Sequence, residues 1–215
     1  MLAKFIRLAT AAATAALALS FSPCALAQEQ GPDALVKRVT LEVVGMIQKE
    51  IKDGDRKKII ALIEERVLPH FNFEAMASSA VGRNWAKANM EQKSRLTDEF
   101  RTLLVRTYAS SLAAYRDQKF DFRPLRAKPT DTDVTVYVRI LQSGTQPVQI
   151  DYDMEKRPGG WKVWDVRVGG ISLVANYRTE FDNLIRDSGI DGLIKTLQTK
   201  NKSLERGKVA GMGKK

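Results

Sequence analysis

The spacing of apolar residues changes twice along this chain, and that change restricts the fold more than any other feature. Up to residue 115, apolar side chains recur every three or four residues, which is typical of amphipathic helices. Between residues 120 and 168 they alternate with polar ones, which is typical of half-buried strands. The helical spacing returns after Gly170. This order predicts an α+β fold in which a four-stranded antiparallel meander packs against several helices.

Three helical segments are predicted before the longest one. The first runs from Asp33 to Ile51, directly after Pro32, where proline is tolerated. The second is capped by the segment 53–55 and ends at Pro69. The third is a short segment over residues 71–80. Together these segments supply several amphipathic faces that need a partner.

The longest helical pattern begins at a capping box. Asn89 has Gln92 three residues later, so each side chain can bond the other's backbone N–H. One apolar stripe then continues for about seven turns. Its members are Leu96, Phe100, Leu103, Leu104, Tyr108, Leu112 and Tyr115.

The strands are separated by glycine-containing turns. Ser143-Gly144 separates the second strand from the third, and the turn 157–160 separates the third from the fourth. Asp151 and Asp153 project to the polar face of the third strand, where they predict a solvated pair rather than an acid–base dyad. A helical pattern from Leu173 to Phe181 and a last helix from Ile190 to about Lys200 follow.

The first 27 residues are predicted to be a cleaved signal peptide. Lys4 and Arg7 precede an apolar run over residues 8–21, and Ala25-Leu26-Ala27 is a small-x-small cleavage site. The only cysteine, Cys24, lies inside this leader, so a disulfide scaffold and a thiolate metal site are excluded from the mature chain. The predicted division is a signal peptide over 1–27, one domain over 28–201 and a basic, disordered tail over 202–215.

The residues give little support for catalysis or for nucleic-acid binding. His70 is the only histidine and is interpreted as structural, and Ser172 lies at a strand-to-helix turn where helix capping explains it. No catalytic residue, metal ligand or cofactor site is therefore assigned. The formal net charge is +10, but Lys and Arg are scattered and export removes the protein from nucleic acid, so nucleic acid is not expected as a partner.

Three segments resemble the MlaC, or toluene-tolerance, family of periplasmic phospholipid-binding proteins. They are residues 67–73 together with Val81-Gly82 and Trp85, residues 100–108, and residues 165–181, of which the last is the most specific. The resemblance extends through the closing helix and spans nearly all of the mature chain. Asn72 departs from it, because the family has aspartate there.

This resemblance implies a strongly curved sheet and an apolar lipid cavity between sheet and helices, with acyl tails inside and the headgroup at the mouth. It implies a non-enzymatic monomer in the periplasm that carries phospholipid as cargo. Its partners would be an inner-membrane ABC transporter with an MCE-type subunit and an outer-membrane lipoprotein complex, and its role would be to maintain the lipid asymmetry of the outer membrane.

The apolar faces then become the expected walls of that cavity, although periodicity alone does not distinguish a hollow interior from a packed one. An enzyme on a similar cone-shaped fold, such as a ketosteroid-isomerase-like isomerase, and an interaction module with a solid core stay as alternatives. The residues expected to contact lipid are Trp85, Phe100, Leu103, Leu104, Tyr108, Leu112, Tyr115, Val134, Val136, Val138, Val148, Ile150, Tyr152, Val163, Val166, Val168, Ile171, Val174, Tyr177 and Phe181.

Overall fold

Helices come first along the chain, then strands, then one more long helix. The computed structural model describes residues 30–51, 55–114, 117–128, 130–142 and 144–206, without the side chains of residues 112–114. The predicted signal peptide and residues 207–215 lie outside the described residues. The α-helices are α1 (Pro32–Glu50), α2 (Arg56–Arg66), α3 (Phe73–Val81), α4 (Met90–Ala114) and α5 (Leu173–Glu205), with 3₁₀ turns at Leu68–His70 and Gly82–Lys87. The strands are β1 (Lys119–Phe122), β2 (Asp133–Leu141), β3 (Val148–Arg157), β4 (Gly160–Val168) and β5 (Ile171–Ser172).

The sheet has five strands in sequence order, and each pairs antiparallel with the next. The α+β meander is therefore confirmed, and the strand number is corrected from four to five. Gly169 and Gly170 have φ values of 58° and 84°, a conformation that glycine adopts without steric cost. These two glycines turn the chain back so that Ile171 pairs with Val168, where the sequence pattern predicted the end of the sheet.

Helix ends follow the predicted caps. Asn89 and Gln92 exchange backbone-to-side-chain hydrogen bonds of 2.8 and 3.1 Å, which confirms the capping box. Asp55 accepts a bond from the backbone N–H of Lys58 at the start of α2. Gly189 interrupts α5 with a φ of 72°, which confirms the break between the last two helical patterns.

The last helix is longer than predicted. It continues to Glu205, four residues into the segment that we predicted to be a disordered tail. Asn201 explains part of this extension, because its buried side-chain amide donates to the backbone and side-chain oxygens of Glu99 on α4. Arg56 of α2 donates to the Leu204 carbonyl at 2.8 Å and so satisfies an oxygen at the end of the helix.

The apolar core is divided into three clusters. A helical cluster joins α3, α4 and α5 around Phe100, whose ring centroid lies 5.2 Å from that of Tyr177 and 5.5 Å from that of Phe181. A second cluster joins the inner face of the sheet to the start of α1, and a third joins the rest of α1 to α2 and α4. The region between the second and third clusters, beneath α1, is where the packing is incomplete.

The outer face of the sheet is an ion-pair ladder. Asp151 and Asp153 are buried, contrary to the predicted solvated pair. Arg167 on the neighbouring strand β4 donates to both carboxylates, with 2.6 Å to Asp153, and Thr135 donates to Asp153 from the other side. Each of these polar side chains lies next to a cross-strand neighbour that carries the opposite charge or can form a hydrogen bond with it. The side chains therefore shield one another from solvent.

None of the helices in the described part of the chain is both long enough and apolar enough to cross a lipid bilayer.

Candidate functional site

A cavity of about 530 Å³ lies between α1 and the inner face of the sheet. Its walls come from α1, from the end of α2 with the turn that follows, from α3 and α4, from β1 to β5, and from the start of α5. Small-molecule sites in proteins usually have roughly 300 to 1,000 Å³, so this volume suits a ligand rather than a packing defect.

The described lining residues include no Asp, Glu, Lys or Arg. Aliphatic and aromatic side chains make up most of the wall, and the polar members are hydroxyl groups, one amide and one imidazole. A surface of this kind offers hydrocarbon a place out of water and offers a charged group no counter-ion. The cavity is therefore suited to an apolar ligand or to the apolar part of a larger one.

The structure brings together eight of the residues that the sequence suggested for such a wall. Two come from α4, five from β3 and β4, and one from β5. They are Leu104, Tyr108, Ile150, Tyr152, Val163, Val166, Val168 and Ile171.

Other suggested residues do not line this cavity, although they belong to the same apolar clusters as residues that do. Trp85, Phe100, Leu103, Val174, Tyr177 and Phe181 belong to the helical cluster or pack against it, because α3 and α5 cover that side of α4. Val134, Val136, Val138 and Val148 pack within or against the cluster formed by the sheet and α1. The Leu112 side chain and the whole of Tyr115 lie outside the described residues, so their role stays a prediction.

Among the lining residues that were not predicted from the sequence, helix α1 contributes the largest group. Its stripe was interpreted only as an amphipathic face, although the face is wide and includes positions beside the main apolar row, as a helix bordering a cavity requires. The lining residues of α1 are Leu35, Val36, Val39, Thr40, Val43, Val44 and Ile47. Further lining residues without a sequence prediction include Ile63, Val67, Leu68, Phe71, Phe73, Met76, Val105, Ala109, Phe120, Ile140, Met154 and Leu173.

Tyrosine hydroxyls in and behind the wall are hydrogen-bonded rather than free. Tyr152 on β3 pairs with Thr40 on α1, and burial raises the pKa of Tyr152 to about 12. Tyr108 on α4 pairs with Tyr177 on α5, and burial raises the pKa of both phenols. The phenols are therefore neutral at physiological pH, and their bonds connect α1 to the sheet and α4 to α5.

The cavity meets solvent where its lining residues are exposed. Ser111 on α4, Ile171 on β5 and Asn176 on α5 are exposed lining residues, and Ile171 keeps 66% of its surface accessible. These exposed positions, which we call the opening of the cavity, offer two uncharged polar groups and one apolar side chain, which suits the junction between hydrocarbon and a hydrated group.

Ser172 at this opening has a structural role. Its hydroxyl donates to Asp165 at 2.6 Å and accepts a bond from the backbone N–H of Ala175 at 2.9 Å. The predicted capping role of Ser172 at the start of α5 is thereby confirmed. Because the hydroxyl proton is directed to Asp165, His70 does not accept it, and a Ser–His pair is not formed.

His70 borders the cavity at the end of the 3₁₀ turn, a position that its structural interpretation did not include. Partial burial lowers the pKa of its imidazole, the nearby cations Arg38 and Lys162 lower it further, and Glu42 opposes them. The neutral imidazole is therefore favoured in the folded protein.

We expect the stability of the protein to depend on the protonation of His70. Because its folded-state pKa lies below the ordinary value of about 6.5, the unfolded chain binds the proton more readily, and the free energy of unfolding falls as the pH decreases through that value. His70→Gln removes this pH-dependent contribution to the free energy of unfolding. The loss of Tm between about pH 7.5 and pH 5.5 should therefore be smaller for His70→Gln than for the wild type in thermal unfolding. An equal loss in both proteins would contradict the assignment.

Metal-ligating side chains do not gather here: among the described residues, no group of three or more His, Cys, Asp or Glu side chains is placed to hold a metal ion.

Comparison with known families gives a match to a family model. The model is that of the MlaC protein, and it matches residues 37–199. A curated relative from Haemophilus influenzae, the intermembrane phospholipid transport system binding protein MlaC, is 25% identical over 154 residues, which cover 70% of this chain and 72% of the relative. The toluene tolerance protein ttg2D of Pseudomonas putida is 24% identical over 176 residues, which cover 80% of this chain and 81% of the relative.

A solved structure has the same fold. It is the phospholipid-binding protein of Ralstonia solanacearum in complex with a phospholipid. The two structures superpose with a TM-score of 0.74 at 35% identity, and the match covers 80% of this chain and 98% of the other.

Proposed function

The chain belongs to the MlaC family, and we propose that it is a periplasmic phospholipid carrier that holds acyl tails in the cavity beneath α1. The observation that carries this proposal is the uncharged cavity of about 530 Å³, in a fold whose similar solved structure contains a phospholipid. The carrier keeps the tails out of water while the lipid crosses an aqueous compartment.

The energetics of lipid in water explain why such a carrier is needed. Two tails of roughly 15 carbons cost on the order of 24 kcal/mol to expose, at about 0.8 kcal/mol per methylene group. A barrier of that height permits about one unassisted escape per day. Lipid therefore enters and leaves while the carrier is docked to a partner, where the tails pass from one apolar surface to another.

The residues proposed to contact the tails are those that line the cavity. Leu104 and Tyr108 line the cavity from α4, and Val39 and Val43 line it from α1. A tail half as long as the bilayer core, about 15 Å, can follow the strands between these helices. We propose that the headgroup lies at the opening with Ser111 and Asn176, because a hydrated phosphate finds no counter-ion among the described residues deeper inside.

Binding, rather than chemistry, is the role that this cavity supports. A ketosteroid-isomerase-like reaction needs a carboxylate base in the pocket, and the described lining residues include none. A solid interaction module does not need a cavity of this size. The Ser172 hydroxyl, which lies beside the opening, is engaged with Asp165 and is not activated for attack on an ester.

We also propose the place of this carrier in the cell. Residues 1–27 direct export to the periplasm, where an inner-membrane ABC transporter with an MCE-type subunit and an outer-membrane lipoprotein complex exchange lipid with it, which maintains outer-membrane lipid asymmetry. The Haemophilus influenzae relative, named as the binding protein of an intermembrane phospholipid transport system, supports this part of the proposal.

Denaturing extraction and mass spectrometry of the purified protein test the carrier proposal. We expect diacyl phospholipid with both ester bonds intact, and no free fatty acid released on incubation. A small polar metabolite in its place would favour the isomerase alternative, and a protein without ligand would favour the solid module. Release of fatty acid that is abolished by His70→Ala or Ser172→Ala in a folded protein would contradict the carrier.

A further inference from the structure

Strand β1 leaves half of the neighbouring strand β2 without a partner. β1 pairs with β2 only between residues 138 and 141, whereas β3 pairs with β2 from Asp133 to Ile140. One more backbone hydrogen bond joins the two segments on this side, from the Arg123 N–H to the Tyr137 carbonyl. Beyond that bond, no described residue pairs with β2 on this side, and we call this stretch the open edge of β2.

The backbone of Thr135 points to this open side. In an antiparallel strand, alternate residues direct both backbone groups to the same neighbour, so Thr135 shares the direction of Tyr137. No backbone hydrogen bond from Thr135 to that side is formed within the described residues. Its N–H and C=O groups are therefore available to another extended chain.

The chain after β1 diverges from this edge and leaves a groove of about 700 Å³. Residues 123–127 form one wall without regular secondary structure, and β2 forms the other. A strand adjoins its neighbour at about 4.8 Å, and five residues of it span about 17 Å. The stretch of β2 from Asp133 to Tyr137 has that length, and within the described residues only the Tyr137 carbonyl is already bonded on this side, to Arg123.

The groove carries unpaired positive charge. Arg123 and Arg126 are exposed and form no ion pair or side-chain hydrogen bond within the described residues. Two carboxylates share the groove with three arginines: Asp131 accepts the Lys128 N–H, and Asp133 accepts the Thr132 hydroxyl. The third arginine, Arg139, pairs with Asp121, which leaves Arg123 and Arg126 as the cations without an ion pair among the described residues. Arg123 also lowers the pKa of Asp121, though less than Arg139 does.

We propose that this groove binds an extended acidic segment of a partner protein, which adds a strand to the open edge of β2. Backbone bonds to Thr135 supply affinity, and Arg123 and Arg126 select carboxylates. Tyr137, which is 42% exposed in the same groove, offers the aromatic contact that is common at protein interfaces. A second copy of this chain is disfavoured, because it would bring the same basic edge against itself.

A fluorescein-labelled hexapeptide of alternating glutamate and valine is a direct probe. Fluorescence anisotropy should show binding to the wild-type protein, and Arg123→Glu with Arg126→Glu should weaken it by about tenfold or more. Reversing two charges also weakens the long-range attraction between the protein and an acidic peptide. A control double variant is therefore needed to show that the loss of binding belongs to this groove. Arg101→Glu with Lys57→Glu, two exposed cations on α4 and α2 outside the groove, is the control double variant and should change Kd by less than about twofold.

N-methylation of the peptide tests strand addition itself. Methyl groups on alternate residues block hydrogen bonds along one edge of the peptide only, so one methylated peptide should lose binding and the other should keep it. The Thr135 amide should become protected from hydrogen exchange in the complex. Absence of binding to the wild type, equal behaviour of the two methylated peptides, or equal loss in the two double variants would overturn the proposal, as would dimerisation of the protein through this edge. None of these results depends on bound lipid.

Discussion

Leu104→Asp is expected to fold and to purify with less than about a tenth of the phospholipid of the wild type. Leu104 is 6% exposed and lines the cavity from α4, so an aspartate there places a carboxylate against hydrocarbon. The described part of the wall offers no cation to pair with it. Water drawn in by the charge stabilises the empty cavity and excludes the tails, which mass spectrometry of the extracted lipid measures.

Two further variants separate loss of lipid from loss of fold. Leu41→Asp introduces the same charge on α1 at a residue that is 49% exposed and is not part of the wall, so it should keep its lipid. Val39→Trp fills the cavity with apolar volume and adds no charge, and it should also lower the lipid load. If Leu104→Asp and Val39→Trp both fold and keep their full lipid load, tails do not occupy this cavity.

Local patterns predicted the elements well because their causes are local. The alternation of Val134, Val136 and Val138 with polar residues reports which strand face is buried, and the neighbouring strands do not alter that. The capping box at Asn89 formed as expected because both partners lie within one turn.

The position of the cavity could not be predicted in the same way. Leu103 and Leu104 are adjacent on α4, and both are buried in the helical cluster, yet only Leu104 also borders the cavity. Both are equally apolar, so periodicity does not separate them. The difference arises from which elements cover each side of α4, and this depends on contacts between residues far apart in the sequence.

The burial of polar residues could not be predicted from the local sequence either. Asp151 and Asp153 were expected in solvent because their alternation places them on the outer face, but Arg167, from a strand that follows a turn, covers them. Asn72 has a comparable explanation. It caps α3 and its amide donates to Glu155, which an aspartate at that position would repel as a like charge.

Asp165→Ala is expected to lower the free energy of unfolding by about 3 to 5 kcal/mol, through loss of bonds to a buried charged acceptor. The carboxylate is buried at the junction of β4 with β5 and α5. It accepts bonds from the backbone N–H of Val166 at 2.8 Å and of Val174 at 3.2 Å, and from the Ser172 hydroxyl at 2.6 Å. Alanine leaves these donors without an acceptor in the interior, and for a chain of this size Tm should fall by roughly 10 °C.

The same junction holds the opening of the cavity, so the effect should extend to lipid retention. Without Asp165, Ser172 loses the contact that orients its cap on α5, and Ile171 beside it loses a fixed position. Ser172→Ala alone removes one of the three bonds and should cost about 1 to 2 kcal/mol. Asp98→Ala, an exposed aspartate on α4, should change stability by less than about 0.5 kcal/mol. Chemical denaturation measures all three variants, and an Asp165→Ala protein as stable as Asp98→Ala would show that the junction does not depend on this carboxylate.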